Sequence, residues 1–204
     1  MEKTCIVNKQ KHFFSVRQLT ISAILSGLTI FLGLTGYGFV PLVFMNATVL
    51  HIPTIIGTLV GGPKVGVAVG FLFGLFSFIQ SIRAPSLLLQ FALTESIIYD
   101  AFICIVPRMC ICVAVWTVYK YFKGNETVRV CLAAVLGTVT NTVLFLGTWF
   151  VLIGQTYSLA KGIPISTTFS LLTGIVAMNG IPEALLSGLI VTPIIKALKK
   201  AIKN

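Results

Sequence analysis

The sequence predicts an all-α integral membrane protein of six transmembrane helices, with both termini in the cytoplasm. Apolar residues make up 56% of its 204 positions, and charged residues only 10%. A soluble domain carries about 25% charged residues, so this chain could not cover a surface that faces water. No charged residue occurs between Arg17 and Lys64, and a nucleic-acid-binding surface cannot be built from such a stretch.

The positions of the predicted helices follow from the length that a membrane requires. A hydrocarbon core about 30 Å thick takes roughly 20 helical residues to cross. Six spans fit the chain, at about residues 18–35, 48–62, 65–82, 97–122, 127–153 and 168–198. A turn over residues 36–47 separates the first two, because Gly36, Gly38, Pro41 and Asn46 break the helix there.

Two connecting segments lie outside this pattern. Residues 86–96 are expected to form a re-entrant or surface loop, and residues 155–166 a polar connection. The fourth span is expected to be interrupted at Pro107 and Arg108. The whole chain is then one membrane domain, with a cytoplasmic N-terminal segment (1–16), a six-helix bundle (17–198) and a cytoplasmic tail (199–204).

The charge distribution predicts the orientation of the helices. With the N-terminus inside, 12 of the 15 basic residues fall on the cytoplasmic side, and only Arg83 and Lys161 fall on the outer side. The cytoplasmic group is Lys3, Lys9, Lys11, Arg17, Lys64, Lys120, Lys123, Arg129, Lys196, Lys199, Lys200 and Lys203. This bias fits the positive-inside rule, so most of the net charge of +10 is a signal of topology. Arg108 belongs to neither side.

Four polar residues are predicted to lie at one depth, each on a different span. They are His51, Arg108, Asn141 and Glu183, each 12 or 13 residues from a basic residue at the cytoplasmic end of its span. A rise of 1.5 Å per residue places them roughly 18–20 Å above the inner boundary. Asn179 lies one turn outward of Glu183 on the same face. Because ionisable groups at this depth tend to face the bundle interior, we expect a small polar pocket that opens outward.

Other interpretations of these five residues stay open. An Arg108–Glu183 ion pair could do no more than fix the packing of two helices. His51 could be an ordinary packing residue. Asn141 and Asn179 could form interhelical hydrogen bonds, which are worth about 0.6 kcal/mol on average.

Two prolines favour a pocket at the same depth. Pro107 and Pro182 each remove a backbone hydrogen-bond donor beside a charged residue. Freed carbonyl groups are tolerated in a membrane where they line a cavity. An ordinary proline kink is an equal alternative at either position.

Small residues form stripes on two spans. On the third span, glycines recur every four residues at positions 62, 66, 70 and 74, which favours close internal packing. On the first span, Ser22-x-x-x-Ser26 and Ala23-x-x-x-Gly27 lie near the cytoplasmic end. This second stripe predicts either contact with a partner helix or further internal packing.

The sequence contains a predicted pocket but no motor. It lacks the G-x-x-x-x-G-K-[ST] phosphate loop, six spans are few for a self-contained transporter, and no pair of matching halves is visible. None of the five cysteines forms a C-x-x-C pair, so no metal site is predicted. These features indicate a subunit that captures a substrate.

Five short motifs point to a family. They are residues 46–57 (NATVLHIPTIIG), 62–66 (GPKVG), 106–108 (VPR), 140–142 (TNT) and 179–183 (NGIPE). In order and spacing, over roughly residues 15–200, they resemble the membrane S components of energy-coupling factor (ECF) vitamin transporters. The His-Ile-Pro and Gly-Pro-Lys stretches are most similar to members assigned to pantothenate.

The resemblance implies a subunit of an ABC-type importer in the bacterial plasma membrane. It implies a transmembrane coupling protein that meets the first helix, and two cytosolic ATPases that use ATP, so that this chain is no enzyme and binds no cofactor. The residues expected to contact the coupling protein are Ser22, Ala23, Ser26 and Gly27.

The same resemblance implies a vitamin bound near the extracellular face. The residues expected to bind it are Asn46, His51, Arg108, Asn141, Asn179 and Glu183. The resemblance favours pantothenate, and Arg108 would suit such an anionic vitamin because arginine can hold a carboxylate bidentately. Riboflavin, folate and cobalamin are alternatives.

Two other classes of function stay open from the residues alone. A small intramembrane enzyme would use Glu183, His51 and Asp100 in acid–base roles. A non-catalytic membrane assembly protein would depend mainly on the glycine stripe of the third span.

Overall fold

The computed structural model describes residues 14–41 and 46–203, and for residues 39–41, 46, 47 and 201–203 it describes the backbone alone. The helices are α1 (Val16–Thr35), α2 (His51–Gly61), α3 (Pro63–Arg83), α4 (Leu87–Glu95), α5 (Ile97–Tyr121), α6 (Glu126–Lys161), α7 (Ile165–Ile175) and α8 (Ile181–Lys203). A π-helical turn, Val176–Gly180, joins α7 to α8. Between α1 and α2, the short strands β1 (Phe39–Pro41) and β2 (Asn46–Thr48) pair antiparallel.

Five helical segments are long and apolar enough to cross a membrane. They are α1, α3, α5, α6 and the continuous segment from α7 to α8. The predicted helical membrane fold is confirmed in this respect. The helix at the predicted second span, α2, has 11 residues. It therefore rises about 16 Å, roughly half the thickness of the hydrocarbon core. The count of six spans and the cytoplasmic termini stay predictions.

The short helix α2 lies at the centre of the bundle. Ten of its 11 residues are buried, and it packs against α1, α3, α5, α6 and α8. One core cluster contains apolar side chains from its different faces, among them Leu50, which precedes the helix, and Ile55 and Ile56 within it. Phe73 of α3 belongs to the same cluster. A helix that is apolar all round is buried, so the few polar side chains of α2 face protein.

Three segments differ from the prediction. Residues 86–96 contain the helix α4 in place of a loop, and the carbonyl oxygen of Leu88 accepts a hydrogen bond of 2.9 Å from Nε1 of Trp149. The helix α6 continues about two turns beyond residue 153. Its added turns carry Tyr157, whose ring packs edge-on against Trp149. The helix α5 continues through Pro107 without interruption.

Glycines on α3 let α5 approach closely, as the stripe predicts. A Cβ atom at Gly70 would lie 2.7 Å from the carbonyl oxygen of Arg108, and one at Gly74 would lie 2.7 Å from the Cα atom of Ile105. Both neighbours are backbone atoms of α5, which cannot move aside as a flexible side chain can. Gly62 has a different role, because it separates α2 from α3 with a φ of +88°, in the left-handed region.

Replacing Gly74 with alanine is expected to lower the melting temperature of the purified protein by about 3–10 °C, because the added methyl group overpacks the α3–α5 contact. Gly147→Ala on α6 is the matched control, since a Cβ atom there would meet no described residue within 4 Å. Thermal unfolding in detergent compares the two variants. Equal melting temperatures would contradict the proposed tight contact.

Candidate functional site

Four helices bring the predicted polar residues into the interior of the bundle. His51 begins α2, Arg108 lies in the middle of α5, Asn141 lies in α6, and Glu183 lies in the first turn of α8. Their relative exposures are 1%, 3%, 5% and 6%, and Asn179 in the π-helical turn is 8% exposed. Charged side chains are rarely buried to this extent unless they are paired or functional. All five residues face the interior, as predicted.

Arg108 is anchored by its own helix and by α3. Its Nη1 donates to the carbonyl oxygen of Ile103 at 3.0 Å, and its Nη2 donates to Oγ of Ser77 at 3.1 Å. The Ile103 carbonyl is available because it lies four residues before Pro107, which has no N–H to donate to it. The guanidinium carbon also lies 4.2 Å from the centroid of the Phe145 ring. The proline thus frees the acceptor that anchors the arginine.

Glu183 contacts the hairpin and not Arg108. Its Oε1 accepts a hydrogen bond of 2.7 Å from the backbone N–H of Thr48 in β2, and this bond is buried. Among the residues that the structure describes, no carboxylate oxygen lies within 4.0 Å of the Arg108 guanidinium. The Arg108–Glu183 ion pair considered from the sequence is therefore wrong as a direct contact. The carboxylate ties β2 to α8, and the guanidinium stays available to another anion.

Several buried polar atoms of these residues lack a hydrogen-bond partner within the described ranges. They are both ring nitrogens of His51, Nε of Arg108, Oδ1 of Asn141 and Oγ1 of Thr54. The ring of His51 lies beside the Thr48 backbone, but without hydrogen-bond geometry. Buried polar atoms are nearly always paired, because an unpaired one costs about 1–3 kcal/mol. The unpaired atoms on α2, α5 and α6 could each accept a hydrogen bond from a polar ligand or donate one to it.

Thr54 also belongs to this group of buried polar residues, although it was not among the predicted site residues. It lies three residues after His51, on the same side of α2, and it is fully buried. A Cβ atom at Gly70 would lie 3.2 Å from its Cγ2 and 2.7 Å from the Arg108 carbonyl oxygen, so Thr54 lies next to the α5 backbone. The spacing of three residues from His51 on a short, mostly apolar helix was the signal that could have found it.

The predicted break near Pro182 takes the form of the π-helical turn. This turn, Val176–Gly180, ends two residues before Pro182, which has no N–H to donate within the helix. Asn179 and Gly180 are buried within the turn. Single π-helical turns inside helices are frequent at functional sites. The sequence indicated a break here but not its type.

Two other residues named from the sequence have separate surroundings. Asn46 lies in β2, opposite Pro41, and its side chain lies outside the described residues. Asp100, in the first turn of α5, is fully buried and accepts a hydrogen bond from the Ser81 hydroxyl of α3. In the part of the chain that the structure describes, no group of three or more His, Cys, Asp and Glu side chains is placed to hold a metal.

A mostly apolar cavity of about 260 Å³ lies between α4, α6 and α7. Its walls include Leu87, Leu88, Trp149, Tyr157, Leu172 and Ile175. One polar wall group, Oγ1 of Thr168, is buried and unpaired. Trp149 belongs to the same apolar cluster as Phe145, whose ring lies on Arg108. The cavity was not predicted, because its walls come from segments far apart in the chain.

The small residues of α1 lie at its surface. Ala23 and Gly27 are exposed, whereas Ser22 and Ser26 are half-buried. Among the described residues, a Cβ atom at Gly27 would meet nothing within 4 Å, so these residues do not support the internal-packing alternative there. Large exposed apolar side chains lie along the same helix, among them Ile24, Leu28 and Phe31. This face of α1 is open to lipid or to another helix.

Comparison with known proteins agrees with the motifs. The family model of the ECF transporter substrate-specific component matches residues 17–195. The chain is also 32% identical over 170 residues to the pantothenic acid transporter PanT of Lactococcus lactis subsp. cremoris (strain MG1363). That match covers 78% of this chain and 81% of the relative. The chain therefore belongs to the family of substrate-specific membrane components of ECF transporters.

Proposed function

We propose that this S component binds pantothenate and delivers it to the cytoplasm as part of a larger transporter. The observation that carries the proposal is Arg108, a buried guanidinium with an unpaired Nε–H and, within the described ranges, no carboxylate at contact distance. A buried charge in a membrane protein is costly unless an opposite charge joins it. Pantothenate supplies one carboxylate, and the relative from Lactococcus lactis is a pantothenic acid transporter.

The remaining polar groups suit the rest of the vitamin. Arg108 binds the carboxylate through parallel N–H groups. His51, Thr54 and Asn141 have unpaired atoms that meet the amide and hydroxyl groups of pantothenate. Its branched dimethyl group faces the apolar cluster of Phe145. Asn179 supplies a further buried amide group.

The hairpin completes the proposed site from one side. Asn46, whose backbone lies in β2, stays a predicted ligand residue. Glu183 acts mainly through its bond to Thr48, which holds β2 against α8. The hairpin and α2 together make the second of six crossings in this arrangement, since α2 alone rises about 16 Å. Both termini then lie in the cytoplasm of a bacterial cell, as the basic residues favour.

The motor lies in other subunits. A transmembrane coupling protein packs on the exposed face of α1 at Ala23 and Gly27, with Ser22 and Ser26 at its edge. Two cytosolic ATPases use ATP, and this chain binds no cofactor of its own. The proposal thus accounts for a substrate site in a chain without a phosphate loop.

Reconstituted uptake tests the proposal. Proteoliposomes that contain the chain, its coupling protein and both ATPases should accumulate radiolabelled pantothenate only when ATP is supplied to the ATPases. Vesicles that lack the ATPases are the control and should accumulate none. Accumulation of riboflavin but not of pantothenate would contradict the substrate, and ATP-independent accumulation by this chain alone would contradict its role as a subunit.

A further inference from the structure

Two serines of α3 contact an acidic and a basic side chain of α5. Oγ of Ser77 accepts from Nη2 of Arg108 at 3.1 Å, and Oγ of Ser81 donates to the carboxylate of Asp100. All four side chains are buried. Asp100 and Arg108 lie two turns apart on α5, yet they form no ion pair. Each charged side chain instead contacts one of the two serines, which lie one turn apart on the facing helix α3.

Without these contacts, Arg108 would have a competing partner inside the protein. Side chains on a helix point back toward its N-terminus, which is the direction of Asp100 from Arg108. The attraction between two unit charges is strong at low dielectric. An arginine released from Ser77 would therefore be drawn toward the aspartate. The resulting internal ion pair would occupy the N–H groups that a substrate carboxylate needs.

The observed anchoring leaves donors free. A guanidinium has five N–H groups, of which Ser77 and the Ile103 carbonyl each engage one. Nε–H is buried and has no partner among the described residues. The ring of Phe145 lies against the guanidinium face, which also limits its rotation. The arginine is thus fixed with hydrogen-bond donors to spare.

We infer that Ser77 is a positioning residue that sets the preference of the site for a carboxylate. Ser77 keeps Arg108 away from Asp100. Ser81, one turn further along α3, holds Asp100 by a hydrogen bond. The inference rests on the proposed function and adds the reason why the site selects an anion. Selectivity then depends on a side chain that acts through Arg108.

Affinities of the purified full chain for two ligands test this inference. The ligands are pantothenate and panthenol, the neutral alcohol that carries a hydroxymethyl group in place of the carboxylate. Ser77→Ala should lower the affinity for pantothenate about tenfold and that for panthenol by less than about twofold. Adding Asp100→Asn to Ser77→Ala removes the competing carboxylate, and it should restore the pantothenate affinity to within about threefold of the unaltered chain.

A matched control removes a different buried hydroxyl. Ser187 of α8 pairs with Thr138 of α6 at 2.8 Å, and Ser187→Ala should leave both affinities unchanged. Equal losses for both ligands in Ser77→Ala, or no recovery with Asp100→Asn, would overturn the inference while pantothenate binding by the unaltered chain stands. If the unaltered chain binds panthenol as tightly as pantothenate, the proposed use of Arg108 is wrong and the inference falls with it.

Discussion

Replacing Arg108 with alanine is expected to weaken pantothenate binding roughly 10- to 150-fold, since hydrogen bonds to charged groups contribute about 1.5–3 kcal/mol. The substitution removes the only proposed ligand group that carries a positive charge. It also leaves the Ser77 hydroxyl and the Ile103 carbonyl without their donor, so some loss of stability is expected as well. The measurement is the equilibrium affinity of the folded, monodisperse fraction for radiolabelled pantothenate.

Arg108→Lys separates charge from geometry. Lysine keeps the positive charge, but its compact ammonium group cannot form a bidentate pair with a carboxylate. We expect its affinity to fall between those of the unaltered chain and the alanine variant. If all three folded proteins bind pantothenate equally well, Arg108 has only a structural role.

Leucine at both Ala23 and Gly27 is expected to abolish assembly with the coupling protein and to leave pantothenate affinity unchanged. Both positions are exposed on α1, and Gly27 has open space around it, so the variant should fold. Two large side chains would prevent the close helix approach that small residues allow. Co-purification of the coupling protein and ATP-dependent uptake both report the effect.

Gly147→Leu is the control for the two substitutions on α1. Gly147 is an exposed glycine of α6 that also has nothing within 4 Å of a Cβ position. Adding the same side chain there should leave assembly and uptake unchanged. Normal co-purification of the Ala23→Leu, Gly27→Leu variant would place the coupling surface elsewhere on the chain.

Four polar side chains at similar sequence distances from a cytoplasmic basic residue were predicted to face the bundle interior. His51, Arg108, Asn141 and Glu183 come from four different helices, and all are buried. Ionisable side chains within a membrane tend to face the bundle interior, and this tendency underlies the prediction; their common depth stays a prediction. The sequence could not assign partners. Glu183 bonds to the amide of Thr48, 135 residues away, and such a contact depends on how the helices pack.

Pro107 on α5 likewise has a local effect that the sequence predicts, and it leads to a tertiary contact that the sequence does not predict. Pro107 was expected to free a carbonyl, and it does, but α5 continues as a helix through it. The Arg108 side chain takes that carbonyl, together with Ser77 from a helix 31 residues earlier in the chain. A serine within a predicted span gives no sign of such a partner. The helix α4 and the cavity beside Trp149 were missed for the same reason, since both depend on packing between distant segments.

Binding of radiolabelled pantothenate to the purified chain alone tests the central claim most directly. The measurement is equilibrium dialysis of the detergent-solubilised protein, without ATP and without any partner subunit. The account predicts saturable binding at a single site, unchanged by added ATP and displaced by unlabelled pantothenate far better than by riboflavin. A folded chain that shows no saturable binding of pantothenate or of any other water-soluble vitamin would contradict it.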